Sequence, residues 1–447
     1  MQRQTLWSRT RNRLRWQQIG EWLFLLIYRL VWWVALPWVL ARLWIRGRNN
    51  PAYRRNIKQR LGYYENISVQ KGCWCLHAVS VGENVAASSL VNLWLQHFSE
   101  HQVVVTCMTP TGADQIAKLY GNQVIQLYLP YDLPSMVNRF LDHFKPAMLV
   151  IMETEIWPVL IREANRRAIP IFLVNGRLSD HSFSGYCYVK WLVRQWLNRF
   201  TLVMVQSQQD LERFAEIGVQ SKRLLLTGNL KFDLSVTSAQ RQQAEGLRTI
   251  WGKRPVLIAA STHLGEDEIV LQAVQKVWRS YPELLLVVAP RHPENFDRVA
   301  KMFSERLGSR AVVRYSDLSR YSDTDTKVVV ADVMGRLMAL YGASDLVLVG
   351  GSLLPFGGHN LLEPAAWQKP LLSGCHLNNF IEIRDKLLRH KGLLVVNNGN
   401  ELAEQLSFLL GNPATAEQLG VNGYRVVCIN RGTTNRVMEQ LVQYVNS

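Results

Sequence analysis

Three carboxylates and two basic side chains stand at the ends of strand-like segments in the first half of the chain. Glu83 lies in HAVSVGENVAASSLV (77–91), which reads as a strand running through a glycine turn into a helix. Free backbone N–H groups and the helix dipole usually make such a turn an anion cradle. A carboxylate there would repel a phosphate, so Glu83 points to another use. Glu153 and Glu155 close a strand in METEIWP (152–158), Arg177 follows another in NGRLSD (175–180), and Lys231 sits in TGNLKFD (227–233). Paired carboxylates facing basic groups are suited to acid/base chemistry.

The second half carries the anion-binding signals. In VGGSLLPFGGHNLLEPAAW (349–367), Gly357 and Gly358 precede Asn360, a good helix N-cap, and Glu363 three residues on completes a capping-box spacing. One reading is a well-capped helix. The other is a phosphate brought close by the glycines, with Glu363 taking ribose hydroxyls. AASTHLGEDE (259–268) is a second strand-to-helix turn in which Ser261 and Thr262 offer hydroxyls, and APRHPENF (289–296) sets Arg291 at a strand end. Three such turns in one region point to a nucleotide phosphate site. There is no G-x-x-x-x-G-K-[ST] run and no strand-linked G-x-G-x-x-G, so a P-loop or dinucleotide fingerprint is excluded. Asp323-Thr-Asp325 has a metal-binding D-x-D spacing but lies in a Ser/Thr-rich loop, and no His/Cys cluster has zinc spacing.

The elements that must position these residues alternate between strand and helix. Apolar runs of strand length fall at 73–80, 102–108, 147–153, 169–175 and 201–206, with helical periodicity between them. Near-continuous apolar strands separated by helices mean a parallel sheet covered on both faces. This fits a doubly wound α/β domain over 61–233. A polar stretch, 233–251, follows. The alternation then restarts at 255–261, 283–290, 327–332, 345–351 and 369–374, giving a second α/β domain from 234 to the C-terminus. The final segment, 416–447, is placed to pack back on the first domain. Two such domains facing each other would form a ligand cleft at their strands' carboxyl ends.

The chain has 447 residues, a formal net charge of +16 and fifteen tryptophans. Much of the basic excess is near the N-terminus, in Arg3, Arg9, Arg11, Arg13 and Arg15 and again from Arg42 to Arg60. Between these clusters runs WLFLLIYRLVWWVALPWVLA (22–41). Twenty helical residues rise about 30 Å, the thickness of a bilayer core. With no small-residue cleavage site after it, the segment is an uncleaved membrane anchor that either spans or lies in the interface, with Arg29 and Pro37 as its irregularities. Residues 1–60 thus form a basic N-terminus and anchor helix. The charge flanks and the six scattered cysteines place the body on the cytoplasmic side. Because the basic excess accompanies the anchor, an anionic membrane surface is the expected partner and no nucleic acid is.

Taken together and in order, HAVSVGE, TPTG (109–112), LPYD (129–132), METEIWP, NGRLS, TGNLKFD, STH-x-GE, APRHPE and GGSLLPFGGHNLLEPAAW resemble the bacterial 3-deoxy-D-manno-octulosonic acid (Kdo) transferases that act on the lipid A precursor. The resemblance covers nearly the whole chain from about Trp22. It implies the two-domain GT-B architecture of glycosyltransferases, CMP-Kdo as donor, lipid IV-A as acceptor at the inner membrane, and neither metal nor cofactor. It implies Glu83 as catalytic base and Glu153 and Lys231 as transition-state stabilisers. Donor contacts would come from Pro290 and Arg291, from Met334, Gly335 and Arg336, and from Asn360, Leu361, Leu362 and Glu363. Arg177, Ser261, Thr262, Gly357 and Gly358 are further substrate-binding candidates. The sequence departs from the family at Arg336, where Glu is usual, at Leu264, where Glu is common, and at Cys375, where Pro is common. A different GT-B enzyme using another nucleotide sugar, and a membrane-tethered binding protein without activity, remain the alternatives. At a helix N-terminus, Glu83 is expected to be ionised at neutral pH and a rather weak base.

Overall fold

The computed structural model describes residues 2–65 and 67–445, with side chains from Ile19 onward, those of Asn49 and Val445 aside. The five arginines from Arg3 to Arg15 therefore fall outside the described side chains. The chain divides into two compact units, Met1–Lys231 with Gly432–Ser447, and Phe232–Arg431.

The first unit is built on strands β1 (Trp74–His77), β2 (Val103–Cys107), β3 (Ile125–Tyr128), β4 (Met148–Met152), β5 (Ile171–Gly176), β6 (Leu202–Val205) and β7 (Leu224–Leu226). All pair in parallel, in the order β3-β2-β1-β4-β5-β6-β7. Side chains alternate across the sheet, as the two-residue strand period requires. Cys75, Leu149 and Ile151 enter one core layer, while Trp74, Leu76, Met148 and Val150 enter the other. Helices cover both faces, which is why the strands read as unbroken apolar runs.

The second unit repeats the scheme with β8 (Val256–Thr262), β9 (Leu285–Pro290), β10 (Val312–Arg314), β11 (Val328–Val330), β12 (Leu346–Val349), β13 (Leu371–Gly374) and β14 (Leu394–Val396), ordered β10-β11-β9-β8-β12-β13-β14. The chain thus has the two doubly wound α/β domains that the sequence implied. The polar stretch after residue 233 is not a bare linker. Residues Ser238–Trp251 form a helix closed at its start by a Thr237/Gln240 capping box, with Ala244, Leu247 and Trp251 as its buried face. Its polar look reflects burial along one stripe only.

The C-terminal segment divides. Pro413–Asn430 stays with the second unit, whereas helix Thr433–Val445 belongs to the first. There Val437, Met438 and Leu441 join the core beside helix Val81–His97, and Thr434 donates to Ser89 Oγ at 2.8 Å.

The N-terminal helix, Gln2–Asn49, is the one helix among the described residues long and apolar enough to cross a membrane, over Ile19–Arg48. One stripe of it rests on the first unit. Glu21 pairs with Arg199, Phe24 packs on Trp196 at 5.1 Å between ring centroids, Tyr28 donates to Asp132 Oδ2 at 3.1 Å, Trp32 packs on Tyr131 at 5.4 Å, and Leu36 joins Leu133 and Met136. The opposite face exposes Trp22, Leu26, Leu30, Trp33, Val34 and Trp38.

Candidate functional site

The chain switches from one half of each sheet to the other between β1 and β4 and between β8 and β12. Doubly wound sheets bind ligands outside the carboxyl ends of the strands at that switch point. The first unit sets its carboxylates there. Ser80 caps helix Val81–His97, accepting from the Glu83 N–H, and donates its own hydroxyl proton to Glu83 Oε1 at 2.7 Å. The Val79 N–H donates to Glu83 Oε2 at 2.8 Å. The Val79 N–H and the Ser80 hydroxyl, which could have met a phosphate, are therefore engaged by Glu83 itself.

Burial leaves Glu83 9% exposed and pushes its carboxyl pKa above the usual value; the Ser80 and Val79 bonds pull it back only in part, and the negative charge of Glu153 adds to the rise. Burial thus acts in the direction opposite to the helix terminus, making the Glu83 carboxylate more basic than an ordinary one.

Glu153, after β4, has a left-handed backbone (φ 55°), a conformation that costs a side-chain-bearing residue about 1–2 kcal/mol. The surroundings fix it. Its N–H donates to Val174 O at 2.9 Å, and its carboxylate is bracketed by Arg177 Nε at 3.2 Å and Lys231 Nζ at 3.6 Å. Glu153, Arg177 and Lys231 are thus brought together as one charged cluster. Glu155, two residues on, is pushed up to about 7, by burial first and then by the charge of Glu83.

Asn175, at the end of β5, is a positioning residue that the sequence reading passed over. It is 1% exposed and left-handed (φ 59°), and its Oδ1 accepts from the Leu230 N–H at 2.9 Å, fixing the turn that carries Lys231. The available signal was the Asn-Gly pair at a strand end, since Asn tolerates this conformation better than most residues.

In the second unit, Ser261, Pro290, Arg291, Met334 and Gly335 line one cavity of about 70 Å³ at the ends of β8, β9 and β11. Ser261 is left-handed (φ 58°), which turns the end of β8 toward that cavity. Its neighbour Thr262 is 1% exposed and does not line it. Arg336 is exposed at the start of helix Leu337–Ala343 and makes no side-chain cap bond. A groove of about 680 Å³ beside helix Glu266–Val277 is lined by none of the candidate residues.

The glycine-rich loop differs from its sequence reading. The following helix is only Leu362–Ala366, and Asn360 is not its N-cap. Asn360 Oδ1 accepts from the Leu362 N–H at 3.1 Å, while its amide donates to Glu363 Oε1 at 3.0 Å, so the reciprocal capping box does not form. Leu361 and Leu362 are fully buried, backbone included, so neither lies at the surface. A Cβ on Gly357 would lie 2.4 Å from Asn379 Nδ2, and one on Gly358 2.5 Å from Leu377 Cδ2. These glycines are needed for packing against 376–379. Behind the loop, His263 and His359 stack with Nε2 atoms 2.8 Å apart. Burial lowers both imidazoles, His359 to about 4, with Arg291 contributing, so the pair is neutral at pH 7. Asp323 and Asp325 lie in an exposed turn. Among the described residues no group of three or more His, Cys, Asp or Glu is placed to hold a metal ion.

The fold is that of two doubly wound α/β domains. A UDP-GlcNAc 2-epimerase from Neisseria meningitidis, solved bound to UDP-GlcNAc, shares it with a TM-score of 0.56 over 84% of this chain and all of that one; at 14% identity the likeness is one of fold. Residues 55–234 match the family model described as 3-deoxy-D-manno-octulosonic-acid transferase (kdotransferase). The chain is 36% identical over 416 residues to the 3-deoxy-D-manno-octulosonic acid transferase of Haemophilus influenzae, covering 92% of this chain and 96% of the relative. Identity to the Bordetella pertussis transferase is 30% over 378 residues, 83% of this chain and 87% of that one. The chain belongs to the Kdo transferase family and is a glycosyltransferase.

Proposed function

We propose that this enzyme moves Kdo from CMP-Kdo to the 6′-hydroxyl of lipid IV-A, with inversion, in building the inner core of lipopolysaccharide. The observation that carries the reading is Glu83: a buried carboxylate of raised pKa, held by Ser80 and Val79 at a switch point beside the Glu153–Arg177–Lys231 cluster. Its carboxylate takes the proton of the acceptor hydroxyl as that oxygen bonds to the anomeric carbon of Kdo and the bond from that carbon to the CMP phosphate breaks. Lys231 and Arg177, each held against Glu153, offer positive charge to the anionic groups of the reacting pair. The second unit holds the donor, with Arg291 and the segments 334–336 and 360–363 on CMP. Arg291 and N–H groups take up the leaving phosphate's charge, and the reading assigns no resident metal or cofactor.

Mass spectrometry of lipid IV-A incubated with CMP-Kdo and the full-length protein tests the assignment and counts the sugars added. Glu83→Gln is expected to lower transfer by about 10²- to 10⁴-fold while CMP still protects the protein against thermal unfolding. Wild-type turnover in that variant would sink the role of Glu83. The exposed apolar face of the N-terminal helix supports seating at the inner membrane, with the body in the cytoplasm and the helix lying in one leaflet.

A further inference from the structure

Glu266 is a buried carboxylate that the proposed reaction does not use. It is fully buried at the start of helix Glu266–Val277 and forms no salt bridge among the described residues. Both oxygens are instead filled by backbone. Oε2 accepts from the N–H groups of His263 at 2.9 Å and Gly351 at 2.7 Å, and Oε1 from those of Ser352 and Leu353, each at 2.9 Å. These donors come from the turn after β8 and the loop after β12, the two strands between which the chain switches halves of the second sheet. The place where an anionic ligand would be expected to meet free N–H groups is therefore occupied by a side chain of the protein itself.

The bonds run on into the glycine-rich loop. Gly351 O accepts from the Gly358 N–H at 2.6 Å, just before Asn360 and Glu363. His263, whose backbone Glu266 holds, is in hydrogen-bond contact with His359. Gly351 itself is left-handed (φ 67°), and a Cβ there would meet the His359 ring at 2.8 Å. The Ser352 hydroxyl donates to Val349 O and accepts from the Gly374 N–H at 2.8 Å, tying the same loop to β13.

We propose that Glu266 is a positioning residue for the sugar-nucleotide donor: as a built-in anion it fixes loop 350–360 across the switch point, and so directs the donor to the adjacent cavity of Ser261, Pro290, Arg291, Met334 and Gly335. This rests on the reading that the second unit holds the donor. Glutamine in place of Glu266 keeps the shape but sets an NH₂ group against two N–H donors, which must move apart.

The test compares full-length wild type and Glu266→Gln with CMP-Kdo and lipid IV-A, each varied in turn. The expected result is a KM for the donor raised about tenfold or more, with the KM for the acceptor unchanged. A donor KM within about twofold of wild type, with only the thermal midpoint lowered, overturns the proposal and leaves Glu266 a structural residue. If Glu266→Gln is insoluble, Glu266→Asp, which retains the charge on a shorter arm, is read by the same two outcomes. Failure of wild type itself to use CMP-Kdo or be protected by CMP strikes the donor reading instead, and is seen before any variant is made.

Discussion

At the scale of single residues, Glu153 has two effects that one substitution separates. Its charge raises the pKa of Glu83, and its carboxylate orients Arg177 and Lys231. Its left-handed backbone is one that glycine adopts freely. Glu153→Gly should therefore leave the thermal midpoint within about 4 °C of wild type, the relieved strain offsetting the added freedom of the unfolded chain. Turnover should fall by about 10²-fold, since the two cations lose their orienting anion. The pH profile supplies a separate sign. Glu83 must be ionised to act, and its raised pKa places the acid limb of kcat/KM above the ordinary carboxylate range. Removing the negative charge of Glu153 lowers that pKa and should move the limb toward lower pH. A limb that stays in place, or moves upward, would show that Glu153 does not act on Glu83. Glu83 and Glu153 were legible in the sequence because carboxylates at strand ends are conspicuous. The pKa direction of Glu83 was not, because burial is a tertiary property that no local spacing encodes.

At the scale of elements, the strands read correctly from sequence are the central five of each sheet. The four passed over, β3, β7, β10 and β14, are the four sheet edges. Edge strands are short and incompletely covered, so they lack the unbroken apolar run that marks a central strand. A helix was missed for a related reason, since Ser238–Trp251 buries too little to look like core. Asp132, in the LPYD segment, shows another kind of hidden role. It is 1% exposed and accepts from the N–H groups of Val159 at 2.9 Å and Leu160 at 2.8 Å, at the start of helix Pro158–Arg166, and from Tyr28. It therefore joins the first turn of one helix to the N-terminal helix. Its pKa is pushed up to about 6 by burial, against the pull of these bonds. Asp132→Ala leaves two buried N–H groups without an acceptor and should lower unfolding stability by about 1–3 kcal/mol, read as a lower denaturant midpoint at pH 7.5. An unchanged midpoint would mean that water replaces the carboxylate at no cost.

At the scale of the whole molecule, the proposed membrane seat raises the question of how an apolar N-terminal helix and a charge of +16 would meet a bilayer. Length alone allows the helix to span. The contacts argue otherwise. From Gly20, which abuts Trp191, to Leu36, which packs on Leu133 and Met136, the helix rests on the first unit for seventeen residues, about 24 Å of its axis. A spanning helix that kept these contacts would carry the Glu21–Arg199 pair and Asp132 into the hydrocarbon, where ionisable groups are costly. A helix lying in one leaflet keeps every contact and buries only the outward face of Trp22, Leu26, Leu30, Trp33 and Trp38. The apolar surface continues onto the body at Tyr188, Val189 and Trp191, and Lys190 and Arg194 beside them suit anionic headgroups. In sealed inner-membrane vesicles of either orientation, an epitope tag placed before Met1 should therefore be cleaved by protease from the same side as the catalytic body. Protection of the tag on the opposite side would mean that the helix leaves the body and crosses, giving up the pairing of Glu21, Tyr28 and Trp32 with the first unit.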